Sequence, residues 1–269
     1  VLQEQQLGTG HALMSASDSL KGFQGHILVL AGDAPFLTGS ILKKLIQKHT
    51  RSNADATMMT TIIDPPPAYG RIVRDTNGRV LRIVEERDAS SEEKKITEVN
   101  TSHYCFKADK VMPLLAQLKS DNDQGEYYLT DVIELMVNSG LRVETIKTTD
   151  PMVLKGINSR SDLARANTYL KQKIMEYWMA NGVTIVDPGL VYIEPDVKIG
   201  RDTVIHPFTS LTGKTTIATH CTIGPQVMLR DARIHQGCRI QFSDIENRTI
   251  EKDAIIGPFA YMTGDPIDS

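Results

Sequence analysis

Asp33 follows an apolar run, His26 to Ala31, in the string Gly32-Asp33-Ala34-Pro35. A lone carboxylate just past the carboxyl end of a buried strand is suited to a Mg²⁺ ion shared with substrate phosphates. The same residue reads equally as a turn aspartate before Pro35. Leu7-Gly8-Thr9-Gly10-His11-Ala12 places two glycines ahead of a helix, which lets backbone N–H groups approach a base or phosphate closely. A tight turn capped by Thr9 is the commoner source of such a string. Glu85 and Asn100 stand at strand ends and can bind sugar hydroxyls, the carboxylate accepting and the amide both accepting and donating. Taken alone, Glu85 fits a solvated hairpin edge and Gly70 an ordinary turn. Asn158 precedes a long helix and reads as its cap or a turn residue, or as an oxygen ligand to a metal if its amide turns away from the helix. The seven histidines show no HxH or HExxH spacing, and no nucleophile signature accompanies them, so hydrolase chemistry has no support. His11 reads as the first turn of a helix, and His206, His220 and His235 as exposed turn residues.

The elements that must position these groups alternate. His26 to Ala31 has the continuous apolar pattern of a strand covered on both faces. Ile41, Leu42, Leu45 and Ile46 share one helical face opposite Lys43, Lys44, Gln47 and Lys48, with Thr38 or Ser40 as cap. Strands follow at 56–63, then at 71–74 and 79–85 as a hairpin about Asn77-Gly78, and at 99–106. Helices are expected at 110–118 and 130–138, followed by a strand at 141–148 and a helix at 159–180 that joins two domains. Strands alternating with helices imply an α/β sheet layered by helices.

From Val191 the pattern changes. Ile193, Ile199, Ile205, Leu211, Ile217, Ile223 and Leu229 are branched aliphatics at an unbroken step of six. Such a repeat builds a parallel β-helix whose coils bury a continuous apolar column. It resumes at Ile234 and Ile240 and again at Ile250, Ile256 and Met262, and the breaks read as loops. Gly264-Asp265-Pro266 stands where another coil would continue.

A chain of 269 residues with 41% hydrophobic residues can bury two modest cores, and a net charge of -3 supplies no electrostatic reason for a nucleic acid or anionic membrane as partner. Cys105, Cys221 and Cys238 have no CxxC spacing, which fits neither a zinc site nor a disulfide framework and points to a reducing cytoplasm. No apolar run approaches the roughly 18 residues of a membrane span.

The order of the motifs is more specific than any one of them. Gln3 with Gln6 to Ala12, Ala31 to Pro35, Tyr69-Gly70-Arg71-Ile72, Ile83-Val84-Glu85, Glu98 to Thr101, Gln124 to Asp131, Gly156-Ile157-Asn158 and the hexapeptide coils follow one another along essentially the whole chain. In that order they resemble the bifunctional enzymes of UDP-N-acetylglucosamine synthesis, which join an N-acetylglucosamine-1-phosphate uridyltransferase domain to a left-handed β-helix glucosamine-1-phosphate acetyltransferase domain. The resemblance implies an α/β fold with a Rossmann-like nucleotide-diphospho-sugar transferase domain at 1–157, a connecting helix at 158–182 and a left-handed β-helix at 183–269. It implies UTP and N-acetylglucosamine 1-phosphate as substrates, Mg²⁺ as cofactor, a homotrimer through the β-helix, and a role in cell-wall precursor synthesis. Gln3, Gly8 and Thr9 correspond to the uracil site, Gly32 and Asp33 border the nucleotide, and Asp33 and Asn158 are the metal ligands. Gly70, Glu85 and Asn100 correspond to contacts with the sugar.

The resemblance also implies what to expect beyond the ends. The family's glycine-rich phosphate loop would precede Val1 and its acetyltransferase site would follow Ser269, so the chain is expected to be a fragment, inactive or weak by itself, with no catalytic side chain to name. Ser102 stands where the family often has glycine, and Phe259 to Gly264 replaces a pattern in which arginine and proline commonly follow the aliphatic. A different sugar-1-phosphate nucleotidyltransferase and a noncatalytic β-helix assembly subunit remain alternatives on the sequence.

Overall fold

The computed structural model describes residues 1–264, which fall into two compact units, 1–158 and 159 onward. The first is built on a six-stranded sheet of β1 (His26–Val29), β2 (Ala56–Ile62), β3 (Arg71–Arg74), β4 (Val80–Val84), β5 (Glu98–Lys107) and β6 (Val143–Lys147). The order is β4-β3-β5-β2-β6, with β1 also beside β5. Only β2 and β6 pair in parallel; the other pairs are antiparallel.

Alternation of side chains across β2 and β5 feeds two cores. Met58, Tyr104 and Phe106 face α1 (Thr9–Ser15), α3 (Ala108–Leu115) and α4 (Asp131–Asn138), where Leu13, Val111, Leu115, Val132, Ile133 and Met136 close the layer. Met59 and Cys105 point the other way, to Leu45 on α2 (Gly39–Arg51). Of the two caps read for α2, Thr38 is the one used, accepting the N–H of Ile41. Gly140, at φ 72, turns the chain out of α4 into β6.

β5 sets the geometry of the site because its two edges differ. One edge pairs with β2 from Ala56 opposite Phe106 to Ile62 opposite Glu98, with an irregularity between Met58 and Thr60. The other is divided: β1 takes 104–107, and β3 meets the strand only at Val99. The residues between lack a ladder partner on that edge, and Ser102 there takes φ 58. Bulges of this kind re-aim side chains next to functional clefts.

Two expectations for this unit need correction. The strand read at 26–31 is shorter, and it is not covered on both faces: His26 is exposed and Ile27, Leu28 and Val29 are half-buried. β1 is paired along one edge only among the described residues, so an apolar run did not guarantee a central position. Nor does Asn158 cap the long helix α5 (Arg160–Ala180); Ser159 does, accepting the N–H of Asp162 at 3.1 Å and donating to its carboxylate at 2.7 Å.

In the second unit, the inward positions stack in three ladders, Ile185-Ile205-Ile223-Ile240-Ile256, Ile193-Leu211-Leu229-Ile245-Met262 and Ile199-Ile217-Ile234-Ile250. They build a parallel β-helix with Met175 of α5 seated in the same core. The breaks in the repeat are not loops. Ile199 and its partner Ile217 are eighteen residues apart, whereas Ile234 and Ile250 are sixteen apart, so later coils lose residues at corners while the ladders stay aligned. Ile245, fully buried, escaped the six-residue count for that reason. The continuation expected at Gly264-Asp265-Pro266 lies, from Asp265, outside the described residues. Among those residues no helix is long and apolar enough to cross a membrane.

Candidate functional site

The two most distinctive strings of the sequence meet in space. Gly10 N–H donates to Tyr127 O at 2.7 Å, Tyr127 N–H donates to Leu7 O at 2.8 Å, and Leu129 N–H donates to Thr9 Oγ1 at 3.1 Å. This zipper dictates the glycines. Gly8 takes φ 106, and a Cβ on it would stand 2.6 Å from Tyr127 O; a Cβ on Gly10 would meet the same oxygen at 2.8 Å. Their use is close packing against the 126–128 segment, and the Gly10 N–H is already engaged. Thr9 is the first residue of α1, not the cap of a turn. Gln3 Nε2 joins the wall through Gly8 O at 3.2 Å and His11 Nδ1 at 3.0 Å.

Opposite that wall lies a cleft of about 480 Å³, bounded by Thr9 and Thr130 on one side, Val29 to Asp33 beyond β1, Glu85 at the end of β4, and Ser102 and Tyr104 on β5. A Cβ placed on Gly32 would meet nothing within 4 Å, so its surroundings are open. Thr9, Gly32, Asp33 and Glu85 therefore share one cavity. Gly70 lies behind Glu85: a Cβ there would sit 2.8 Å from Ile83 Cγ2 and 3.3 Å from the Glu85 carboxylate, so a larger residue would crowd both. Asn100 is buried and does not line the cleft. Its N–H donates to Gly70 O at 2.8 Å, its Nδ2 to Tyr104 Oη at 2.6 Å, and its Oδ1 accepts from Ser102 N–H at 3.2 Å.

Asp33 is exposed at the cleft, held by its main chain. Ala31 N–H reaches His103 Nδ1 at 3.4 Å, and Asp33 O accepts from Ile157 N–H at 3.0 Å. Gly156 packs directly on the carboxylate, since a Cβ would stand 2.2 Å from Asp33 Oδ2. Tyr69 secures the same loop by donating its hydroxyl to Leu154 O at 2.8 Å. The arrangement brings exposed Asn158 to the segment that embraces Asp33. A carboxylate and an amide oxygen are hard donors of the kind a divalent cation takes alongside phosphate oxygens and water. No cluster of three or more His, Cys, Asp or Glu that could hold a metal ion occurs among the described residues.

Burial raises the Glu85 carboxyl above its usual range, and Asp88 adds to this; Thr130 Oγ1, donating at 3.0 Å, and buried Arg71 favour its ionised form. Asp131, first in α4, is pushed up to about 6 by burial, then by Glu134, Glu85 and Asp88. His103, fully buried, is held below its ordinary value by desolvation. Sequence reasoning assigned no role to Thr130, Tyr104 or Ser102. Thr130 lay inside one of the motifs and Ser102 was marked only as a departure from glycine, whereas Tyr104 becomes visible only once β5 is seen to be notched.

An α/β sheet with a cleft at the end of β1, followed by hexapeptide coils, agrees with what comparison with known proteins finds. The family model described as Nucleotidyl transferase matches residues 1–182, and the chain belongs to that family. The model described as Bacterial transferase hexapeptide (six repeats) matches residues 196–231. Among individual proteins, the chain is similar to the Bifunctional protein GlmU of Brevibacillus brevis and of Clostridium novyi, each 44% identical over 97% of this chain and 57% of the relative. The protein of the same name from Caldanaerobacter subterraneus is 42% identical over 98% of this chain and 58% of its own length. The chain thus spans little more than half the length of these relatives.

Proposed function

We propose that the protein carrying this chain transfers a uridylyl group from UTP to N-acetylglucosamine 1-phosphate, releasing pyrophosphate. The observation that carries this reading is the shared cleft: it joins the Thr9 wall, the Asp33 turn and the Glu85 carboxylate in one cavity of sugar-nucleotide size. In this reading Gln3, Gly8 and Thr9 shape the base subsite, Gly32 leaves room for phosphates, and Gly70, Glu85 and Asn100 build the sugar side. Glu85 accepts hydrogen bonds from the sugar directly, while Asn100 acts from behind by ordering Tyr104 and Ser102. The sugar phosphate is already an anionic nucleophile, so its oxygen attacks the α-phosphorus and pyrophosphate departs without a general base. Charge repulsion and positioning form the barrier. Asp33 and Asn158 are suited to hold Mg²⁺, whose contribution when bound is to neutralise phosphate oxygens.

The match to bifunctional relatives supports the further proposal that the whole protein also acetylates glucosamine 1-phosphate, outside the residues present here. A homotrimer through the β-helix is supported by the apolar side chains it exposes, among them Phe208, Phe259 and Tyr261. Three buried free thiols accord with a cytoplasmic setting.

The test is pyrophosphate release by the full gene product that carries this chain, given UTP and Mg²⁺ with either N-acetylglucosamine 1-phosphate or glucose 1-phosphate. Release selective for the N-acetylated sugar is expected. Equal or preferential use of glucose 1-phosphate would overturn the sugar assignment, and no release with either would overturn the activity.

A further inference from the structure

Two residues of the first unit other than glycine are left-handed, Asn53 and Ser102. Asparagine visits that region comparatively easily, because its short amide can bond locally; serine has less compensation and glycine would occupy it without strain. Ser102 is also the one exposed residue between buried Thr101 and His103, and it lines the cleft. Backbone strain at a ligand cleft is an outlier that calls for a functional reading.

The hydrogen bonds around Ser102 supply one. Asn100 Nδ2 donates to Tyr104 Oη at 2.6 Å, and Tyr104 is 2% exposed. Asn100 Oδ1 in turn accepts from Ser102 N–H at 3.2 Å, so one amide holds both the Tyr104 phenol and the Ser102 backbone. The Ser102 backbone is thus fixed while its exposed side chain lines the cleft, where a hydroxyl can donate as well as accept. Glu85, lining the same cleft, can only accept while ionised.

We propose that Ser102 is a specificity-determining residue that donates a hydrogen bond from Oγ to the sugar moiety of the sugar 1-phosphate, an inference that rests on the nucleotidyl-transfer reading of the cleft. With Glu85 accepting and Ser102 donating, the wall recognises both a donor and an acceptor on the sugar. The strain at Ser102 is retained because glycine, though easier to accommodate, has no hydroxyl to offer.

Steady-state kinetics of the full gene product test this with Ser102→Ala and Ser102→Gly. Loss of one neutral hydrogen bond raises KM for the sugar 1-phosphate about five- to tenfold, with KM for UTP unchanged and kcat within about twofold. Ser102→Gly shows the same rise in KM together with a higher melting temperature, which separates the hydroxyl from the strain. Unchanged KM for the sugar 1-phosphate in both variants overturns the assignment, as does an equal rise in KM for UTP, which would mark a general collapse of the wall. An unsubstituted enzyme that releases no pyrophosphate overturns the underlying activity itself, and is recognised as such before any variant is made.

Discussion

The β-helix and the α/β unit are specified in opposite ways. In the β-helix each inward residue has an equivalent one coil above and below, as Leu211 has in Ile193 and Leu229, so the fold is stated many times over. In the α/β unit the decisive contacts occur once: Leu129 N–H to Thr9 Oγ1 spans 120 residues with no second example to reinforce it. Backbone strain is divided along the same line. Of the eleven left-handed non-glycine residues among those described, nine belong to the β-helix, including the turn residues Asp202, Phe208 and His220, where they recur as structural punctuation. The two in the α/β unit are isolated, and one of them faces the cleft. Repetition supplies stability here, and unrepeated contacts supply chemistry.

That contrast can be broken by experiment. The largest effect is expected from Leu211→Ala, which empties a fully buried position in the β-helix. It should cost about 3 kcal/mol, confined to the β-helix by its nearest-neighbour energetics, while nucleotidyl transfer by the full gene product stays within about twofold. A loss of transfer as large as the loss of stability, in denaturant unfolding and turnover measured together, would show that the units are not independent in this sense. Asp33→Ala should do the reverse. Turnover falls at least about 100-fold, comparable to removing one electrostatic stabiliser, with little change in melting temperature because the side chain is exposed. Turnover unchanged at saturating Mg²⁺ would remove Asp33 from the proposed metal site.

The smallest effect is pH-dependent and belongs to the α/β unit. His49 on α2 is fully buried, bonded to His26 at 3.0 Å and to Thr57 Oγ1 at 2.9 Å, and burial followed by the charge on His26 and Lys107 lowers its pKa to about 4. A histidine that binds its proton less readily when folded contributes stability present above its unfolded pKa, near 6.5, and lost as pH falls toward about 4. Hydrogen-exchange protection, corrected for the intrinsic pH dependence of exchange, should therefore fall in α2 and β2 between about pH 6.5 and about pH 5 with no matching change in the β-helix. His49→Asn should flatten that dependence; an unaltered profile would place its origin elsewhere.

The same contrast explains what the sequence made legible. The aliphatic ladder was readable because the period repeats, and Ile245 was missed only where shortened corners broke the count. Asp33 lines the cleft as one of its two equal readings placed it, past the end of a strand, whereas Glu85 taken alone read as a solvated hairpin edge and only the resemblance brought it to a site. β1 misled because an apolar run reports hydrophobicity and not the number of neighbours a strand acquires. Asn158 and Ser159 are both good caps in isolation, and which one served depended on Asp162 three residues beyond Ser159. Ser102 was legible only as a departure from the glycine usual in the family, and Tyr104 not at all, because their arrangement depends on the Asn100 amide bonding to both, a property of no single residue.

The divided edge of β5 also bears on which changes such a cleft tolerates. Its two sides come from separate stretches of chain: the Thr9 and Tyr127 segments zip to each other, whereas Gly70 and Glu85 belong to the hairpin of β3 and β4, whose turn at Asp75 to Gly78 is exposed apart from half-buried Asp75. Gly70 and Glu85 flank the open end of that hairpin and the turn lies at its far end, so the turn can change in sequence and length without replacing a residue of either side of the cleft.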